Sequence, residues 1–131
     1  MMLDSSGLLA YVDDGDPAHE DAVAFFAAAD VLLIHSYILA ELIPLFQTRG
    51  VPRRRSLELQ SKLLGSSEVR MSWVDGRLHE TTLTLLNDRM DKTYSLADAV
   101  SFVLMRSAGI TDALSTDRHF EQEGFVRLLK P

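Results

Sequence analysis

Cysteine is missing altogether from the 131 residues, which excludes a disulfide framework and any thiolate metal site and suits a reducing cytosol. Long apolar runs are missing as well. Stretches such as Ile38-Leu39-Ala40 are soon broken by charge, and no basic segment leading into an apolar one opens the chain. Neither a membrane span nor an export signal is expected, and the reading is a cytoplasmic protein. Positive charge is scarce: 13 Lys and Arg face 19 Asp and Glu, a formal net charge of −6. That is the wrong sign for a broad basic surface, so any contact with nucleic acid must be local. There is no glycine-rich phosphate loop or dinucleotide fingerprint. Asp13-Asp14-Gly15-Asp16 lacks the later ligands of an EF-hand and reads as a turn leading to a helix cap. What is present is an apolar fraction of 47%, enough for one packed core and too little for two, so residues 1–131 are expected to form a single domain.

Short strand-like runs alternate with helical stretches from end to end, the pattern of an α/β domain with a mostly parallel sheet. Met1-Met2-Leu3 predicts a very short first strand, followed by a helix from Ser5 to Tyr11 with Leu8, Leu9 and Val12 inward. Asp16 is expected to cap a second helix that opens at Pro17 and runs to about Ala29. Val31-Leu32-Leu33-Ile34 is continuous enough for a strand buried on both faces, and Ser36 is positioned to cap the helix carrying Glu41. Pro44 removes a backbone donor from that helix, where a kink is expected. Pro52 opens the next helix, with Arg53, Arg54 and Arg55 in its first turn and an end near Gly65. Val69 to Val74 reads as a strand, and Asp75 to Met90 as a helix turning Leu78, Leu83, Leu85 and Leu86 inward. Ser95 and Asp98 form a serine-x-x-acid start signal for a helix ending before Gly109. Ala113 to Ser115 and Val126 to Leu129 complete a count of about five strands and seven helices.

Four acids stand out against this pattern: Asp4, Glu41, Asp98 and Asp117. In an open parallel sheet, residues just past the carboxyl ends of neighbouring strands converge on one crevice, and Asp4 and Asp117 both occupy that position. Asp98 shares a helix face with Phe102 and Met105, and Glu41 with Ile38 and Leu45. A carboxylate among such neighbours is costly unless it is paired, hydrogen-bonded or bound to metal. No Lys or Arg lies three or four residues from either one. Four carboxylates about 5 Å apart repel by ~3 kcal/mol per pair at an effective dielectric of 20, a penalty that a divalent cation removes. Oxygen-only ligands favour Mg²⁺ or Mn²⁺ over Zn²⁺. Such a centre suits hydrolysis of a nucleic-acid backbone, with Thr116, Ser5 and Ser6 placed to hydrogen-bond a carboxylate or the attacking water.

At these residues the chain resembles the PIN-domain ribonucleases and, within them, the VapC-like toxins of bacterial toxin–antitoxin pairs. The resemblance runs through Asp4-Ser5-Ser6 with Leu8-Leu9-Ala10-Tyr11, Ala40-Glu41-Leu42, Tyr94-Ser95-Leu96-Ala97-Asp98-Ala99, and Thr116-Asp117-Arg118-His119-Phe120 with Gly124-Phe125 after it. It implies a three-layer α/β/α sandwich, a Mg²⁺ or Mn²⁺ cofactor, and endonucleolytic cleavage of structured or single-stranded RNA. It also implies that Asp4, Glu41, Asp98 and Asp117 are the metal-binding acids, that the protein is a homodimer, and that a small antitoxin covers the active-site groove. Two features depart from the family pattern: only Met1, Met2 and Leu3 precede Asp4, and Pro44 follows Glu41 within one helical turn.

Each acid also has a structural role open to it. Asp98 is the third position of a capping box, and Asp117 and Asp4 can each cap the helix that follows; Glu41, in mid-helix, has no capping role. The arginine triplet at 53–55 reads as a solvated helix start with RNA phosphate as the alternative partner. His19, His35, His79 and His119 show no metal-ligand spacing, although His119 stands close enough to Asp117 to contact substrate. Trp73 and the phenylalanines read as core. Two other functions share this architecture: a non-catalytic PIN-like binding module, and an acid-pocket phosphotransfer domain. The latter requires a lysine after a late strand, and only Lys62, Lys92 and Lys130 exist.

Overall fold

In the computed structural model, which describes residues 1–130, five short strands run parallel in one sheet. They are β1 (Met2–Leu3), β2 (Leu32–His35), β3 (Val69–Ser72), β4 (Asp112–Leu114) and β5 (Val126–Arg127), in the spatial order β3-β2-β1-β4-β5. Chain order therefore reverses at β1, whose Met2 pairs with Leu33 on one side and Ala113 on the other. Such a reversal opens a crevice at the carboxyl edge of a parallel sheet. Between the strands lie α1 (Ser5–Val12), α2 (His19–Ala28), α3 (Ser36–Thr48), α4 (Arg53–Gly65), α5 (Gly76–Asn87), α6 (Leu96–Ala108) and α7 (His119–Gln122).

The pleat sorts the core into two halves. Leu3, Leu32, Ile34 and Leu114 pack on one face with Leu8, Ile38, Leu42, Phe46 and Leu63 of α1, α3 and α4. Met2, Leu33 and Ala113 pack on the other with Phe102, Met105 and Phe120 of α6 and α7. The result is the expected three-layer α/β/α arrangement, and β2 is buried at every position. His35, at the end of β2, is fully buried, with Nε2 2.9 Å from Ser101 Oγ of α6. Burial pushes its imidazole down to about 4, which leaves it a neutral tie between sheet and helix.

Several local expectations need correction. The second helix starts at His19, not after Asp16: Asp16 Oδ1 accepts from Ala18 N at 2.8 Å and Asp13 Oδ1 from Gly15 N at 3.0 Å, so these side chains close turns and delay the helix. Ser36 is the first residue of α3 and not its cap, because its hydroxyl accepts from Val74 N, 2.9 Å away in the loop after β3. Leu83 is 48% exposed, since the buried stripe of α5 runs through Thr82 with Leu85 and Leu86 beside it. Trp73 is 66% exposed and not core: it follows β3, the edge strand, where nothing covers it. Pro44 does not end α3, which continues to Thr48, as a kink within one helix allows; Ala40, whose carbonyl loses its partner to the proline, lies on the solvent side.

The second half of the core is clamped by a carboxylate that the sequence pattern did not single out. Glu123, 7% exposed, follows α7 and receives Arg89 Nε at 2.9 Å, Arg106 Nη2 at 2.6 Å and the Tyr94 hydroxyl at 3.1 Å. Burial works to raise its pKa, but these hydrogen bonds hold the carboxyl below the ordinary range. The clamp joins α6 to the segments before and after it. Removing one partner of a fully buried ion pair costs about 3–5 kcal/mol; because Arg89 and Arg106 are partly solvated, we expect Glu123→Ala to cost somewhat less, roughly 2–4 kcal/mol, read as a lower urea midpoint at unchanged slope.

Candidate active site

The short β1 delivers Asp4 to the carboxyl edge, where its backbone N–H extends the ladder to Leu114 O at 3.3 Å. Its carboxylate is 4% exposed. It precedes α1 in cap position, yet it makes no side-chain cap bond; Oδ2 instead accepts from the hydroxyls of Ser6 and Ser115, each at 2.7 Å. Ser115 Oγ also accepts from Asp117 N at 2.9 Å, and Ser6 Oγ from Thr116 N at 3.1 Å. Two serines 109 positions apart thus lock the loop after β4 onto the start of α1. Thr116 joins this network through its backbone, whereas Ser115, which the sequence reading passed over, supplies the hydroxyl.

Asp98 enters from α6. The capping box is complete: Ser95 Oγ accepts from Asp98 N and Asp98 Oδ2 accepts from Ser95 N, both at 3.0 Å. The same Oδ2 lies 2.8 Å from His119 Nδ1, which is also 3.4 Å from Asp117 Oδ2. Thr93 Oγ1 holds the far side of the imidazole, 3.1 Å from Nε2. Asp117 Oδ1 caps its own turn by accepting from His119 N at 2.9 Å. One potential ligand atom each from Asp98, Asp117 and His119 lies within 4.8 Å of the others. His119 is therefore part of the cluster. Its signal was the acid-x-His spacing around a turn, where residues two apart can face the same point.

Glu41 projects from α3 and is half-buried beside Ser5, where a shallow hollow of about 280 Å³ runs past Pro44 and Leu45 to Thr48. The four acids share one electrostatic field. Burial pushes Asp4 up to about 6 against the pull of its two serines, with Asp98 and Asp117 adding to the rise. Burial pushes Glu41 up to about 7, Asp4 and Asp98 add to it, the Ser5 hydroxyl opposes, and Asp117 adds a little more. Sites that hold several carboxylates against their own repulsion are candidates for function.

The donor set fits a hard divalent cation. In both Asp4 and Asp98 one oxygen, Oδ2, takes every protein hydrogen bond among the described residues, and Oδ1 takes none. Neither Oδ1 is a fully buried orphan, so each keeps some access to solvent. Carboxylate oxygens suit such an ion, whereas both ring nitrogens of His119 are engaged, Nδ1 by Asp98 and Nε2 by Thr93. No lysine serves this crevice: Lys62 bonds Tyr11, Lys92 pairs with Asp91, and Lys130 lies by Glu121. That removes the group an acid-pocket phosphotransfer domain requires.

A family profile for the PIN domain matches residues 1–125. The 23S rRNA-specific endonuclease VapC20 of Mycobacterium tuberculosis, in two strains, is 30% identical over 129 residues, which cover 98% of this chain and 97% of the relative. The crystal structure of M. tuberculosis VapC20, described as a sarcin-ricin loop cleaving toxin, superposes with a TM-score of 0.87 at 29% identity, covering 98% of each chain.

Proposed function

Because this chain belongs to the PIN domain family, we propose that Asp4, Glu41, Asp98 and Asp117 form the active site of a metal-dependent endoribonuclease that hydrolyses RNA phosphodiester bonds as a VapC-type toxin. What supports this reading is a set of shared neighbours: Ser115 Oγ donates to Asp4 and accepts from Asp117 N, and His119 Nδ1 lies beside both Asp98 and Asp117. Asp4, Asp98 and Asp117 would hold Mg²⁺ or Mn²⁺. When bound, that ion supplies Lewis acidity toward a phosphate oxygen and toward water.

The chain's own side chains do the rest. Ser6 and Ser115 fix Asp4, so its free oxygen faces one direction without reorganisation. Ser95 and His119 do the same for Asp98. Glu41, with its pKa raised to about 7, completes the site and orients the attacking water; near neutral pH it can also accept a proton from it. The substrate we infer is a structured RNA of the sarcin–ricin-loop kind, as in the similar toxin. A small antitoxin that covers the crevice, a homodimeric assembly and a cytoplasmic setting complete the proposal. No helix among the described residues is long and apolar enough to cross a membrane.

The test is cleavage of a sarcin–ricin-loop RNA with Mg²⁺ or Mn²⁺, and its loss in EDTA. Cleavage that persists unchanged in chelator contradicts the mechanism. Metal affinity should also climb with pH. The protons on Asp4 and Glu41 leave only near pH 6 and 7, so Mn²⁺ binding followed by calorimetry should tighten about tenfold or more from pH 5.5 to 7.5, with proton release. Affinity flat across that window contradicts the assignment of these two acids.

A further inference from the structure

Trp73 is the only tryptophan in the chain, and it is 66% exposed. Because all strands are parallel, it leaves β3 at the same edge of the sheet from which Asp4 leaves β1. Only β2 separates the two strands, which at ordinary spacing is roughly 10 Å. The loop that presents it is pinned: Val74 N donates to Ser36 Oγ at 2.9 Å, and Asp75 Oδ1 accepts from Leu78 N at 2.8 Å. The indole is thus held out from a fixed backbone.

Against it lies a depression of about 410 Å³, walled by Arg77, Leu78, Thr81, Val103 and Leu104. Val103 and Leu104 sit on α6 five and six residues beyond Asp98, about 8–9 Å along the helix axis. Arg77 takes part in none of the ion pairs among the described residues, a property it shares with Arg49, Arg53, Arg55, Arg70 and Arg118, but of these it alone lines the depression. The one acid in the wall, Asp75, is engaged as the cap of α5. An aromatic plane, an unpaired guanidinium and an apolar wall match an unpaired nucleobase with its phosphate. On a chain of net charge −6, such a site gives the local cationic contact that an RNA requires.

Resting on the endoribonuclease reading, we propose that Trp73 and Arg77 form a substrate subsite in which an unpaired base of the RNA stacks on the indole while Arg77 takes its phosphate. Trp73 is a positioning residue, distant from the reacting atoms. Since it is the sole tryptophan, intrinsic fluorescence reports that one indole. A short RNA hairpin added to the Asp98→Asn variant should quench it saturably, and inorganic phosphate should not. In otherwise wild-type protein, Trp73→Ala should raise KM about 5- to 150-fold, the range for one stacked base, with kcat within about twofold; Trp73→Phe should recover most of the loss.

Unchanged KM in Trp73→Ala together with unquenched fluorescence overturns the subsite while wild-type cleavage leaves the nuclease reading intact. Absence of metal-dependent cleavage by the wild type fails the nuclease reading whatever the fluorescence does. Fluorescence that shifts with protein concentration in the absence of RNA, with Trp73→Ala sedimenting as a smaller species, gives the face to a second copy and overturns the proposal.

Discussion

Asp4→Asn should lower RNA cleavage by roughly 10²–10³-fold or more while making the metal-free protein more stable at neutral pH. The amide keeps an acceptor oxygen for the Ser6 and Ser115 hydroxyls, so the fold loses little. What disappears is a charge that burial and the neighbouring acids disfavour, seen in a pKa raised from 3.8 to about 6. The sign follows from proton binding. Between those two values the folded protein holds a proton that the unfolded chain has released, so stability falls as pH rises across that window. The penalty is absent below about pH 4 and complete above about pH 6. The substitution should therefore change the melting temperature little at pH 4 and raise it at pH 7.5 by an amount worth about 3 kcal/mol, roughly 10 °C in a domain of this size. Thermal melts in EDTA at both pH values, beside cleavage assays with Mn²⁺, test it. An active variant removes Asp4 from the site, and an inactive variant that melts lower at pH 7.5 refutes the account of its charge.

Gly7→Ala should be among the most damaging single-methyl changes in the chain. A Cβ at Gly7 would stand 1.8 Å from Leu114 O and 2.5 Å from Leu114 C, both backbone atoms that cannot turn aside. To reach ordinary contact, α1 and β4 must part by roughly 1.5 Å. Overpacking against backbone costs about 3 kcal/mol or more. The same separation pulls Ser6 from Ser115 and loosens the two hydroxyls on Asp4, so cleavage should fall with stability. Gly76→Ala is the matched control: nothing lies within 4 Å of its Cβ and its φ is ordinary. It should leave stability unchanged or raise it by up to ~1 kcal/mol. Equal urea midpoints for the two variants contradict the close approach of α1 to β4.

Much of the fold was legible because its signals are local. The continuous apolar run at 31–34, the serine-x-x-acid start at Ser95 and the glycine stop at Gly109 each act within a few residues; the helix formed between its two signals, and the strand formed one residue later than the run, at Leu32–His35. The misreadings share a cause. Asp16, Ser36 and Trp73 were assigned by their neighbours in the chain, whereas their roles depend on a turn that competes for the acid, a loop 38 residues away, and an edge strand with nothing beyond it.

By itself the sequence determined the chemistry available: four acids, two of them on apolar helix faces with no basic residue three or four positions away, no thiolate, too little positive charge for a broad nucleic-acid surface, and an order of strands and helices that sends two of those acids to one edge. Tertiary structure alone decided the rest. It chose Ser115 over Thr116 as the hydroxyl on Asp4, brought His119 onto Asp98, closed Arg89, Arg106 and Tyr94 around Glu123, made Gly7 indispensable, and left Trp73 in solvent. The reason is geometric. Side chains at a strand's end alternate in direction residue by residue, so which of two neighbours meets a partner over 100 positions away depends on the register of β1 against β4, and no local pattern encodes that register.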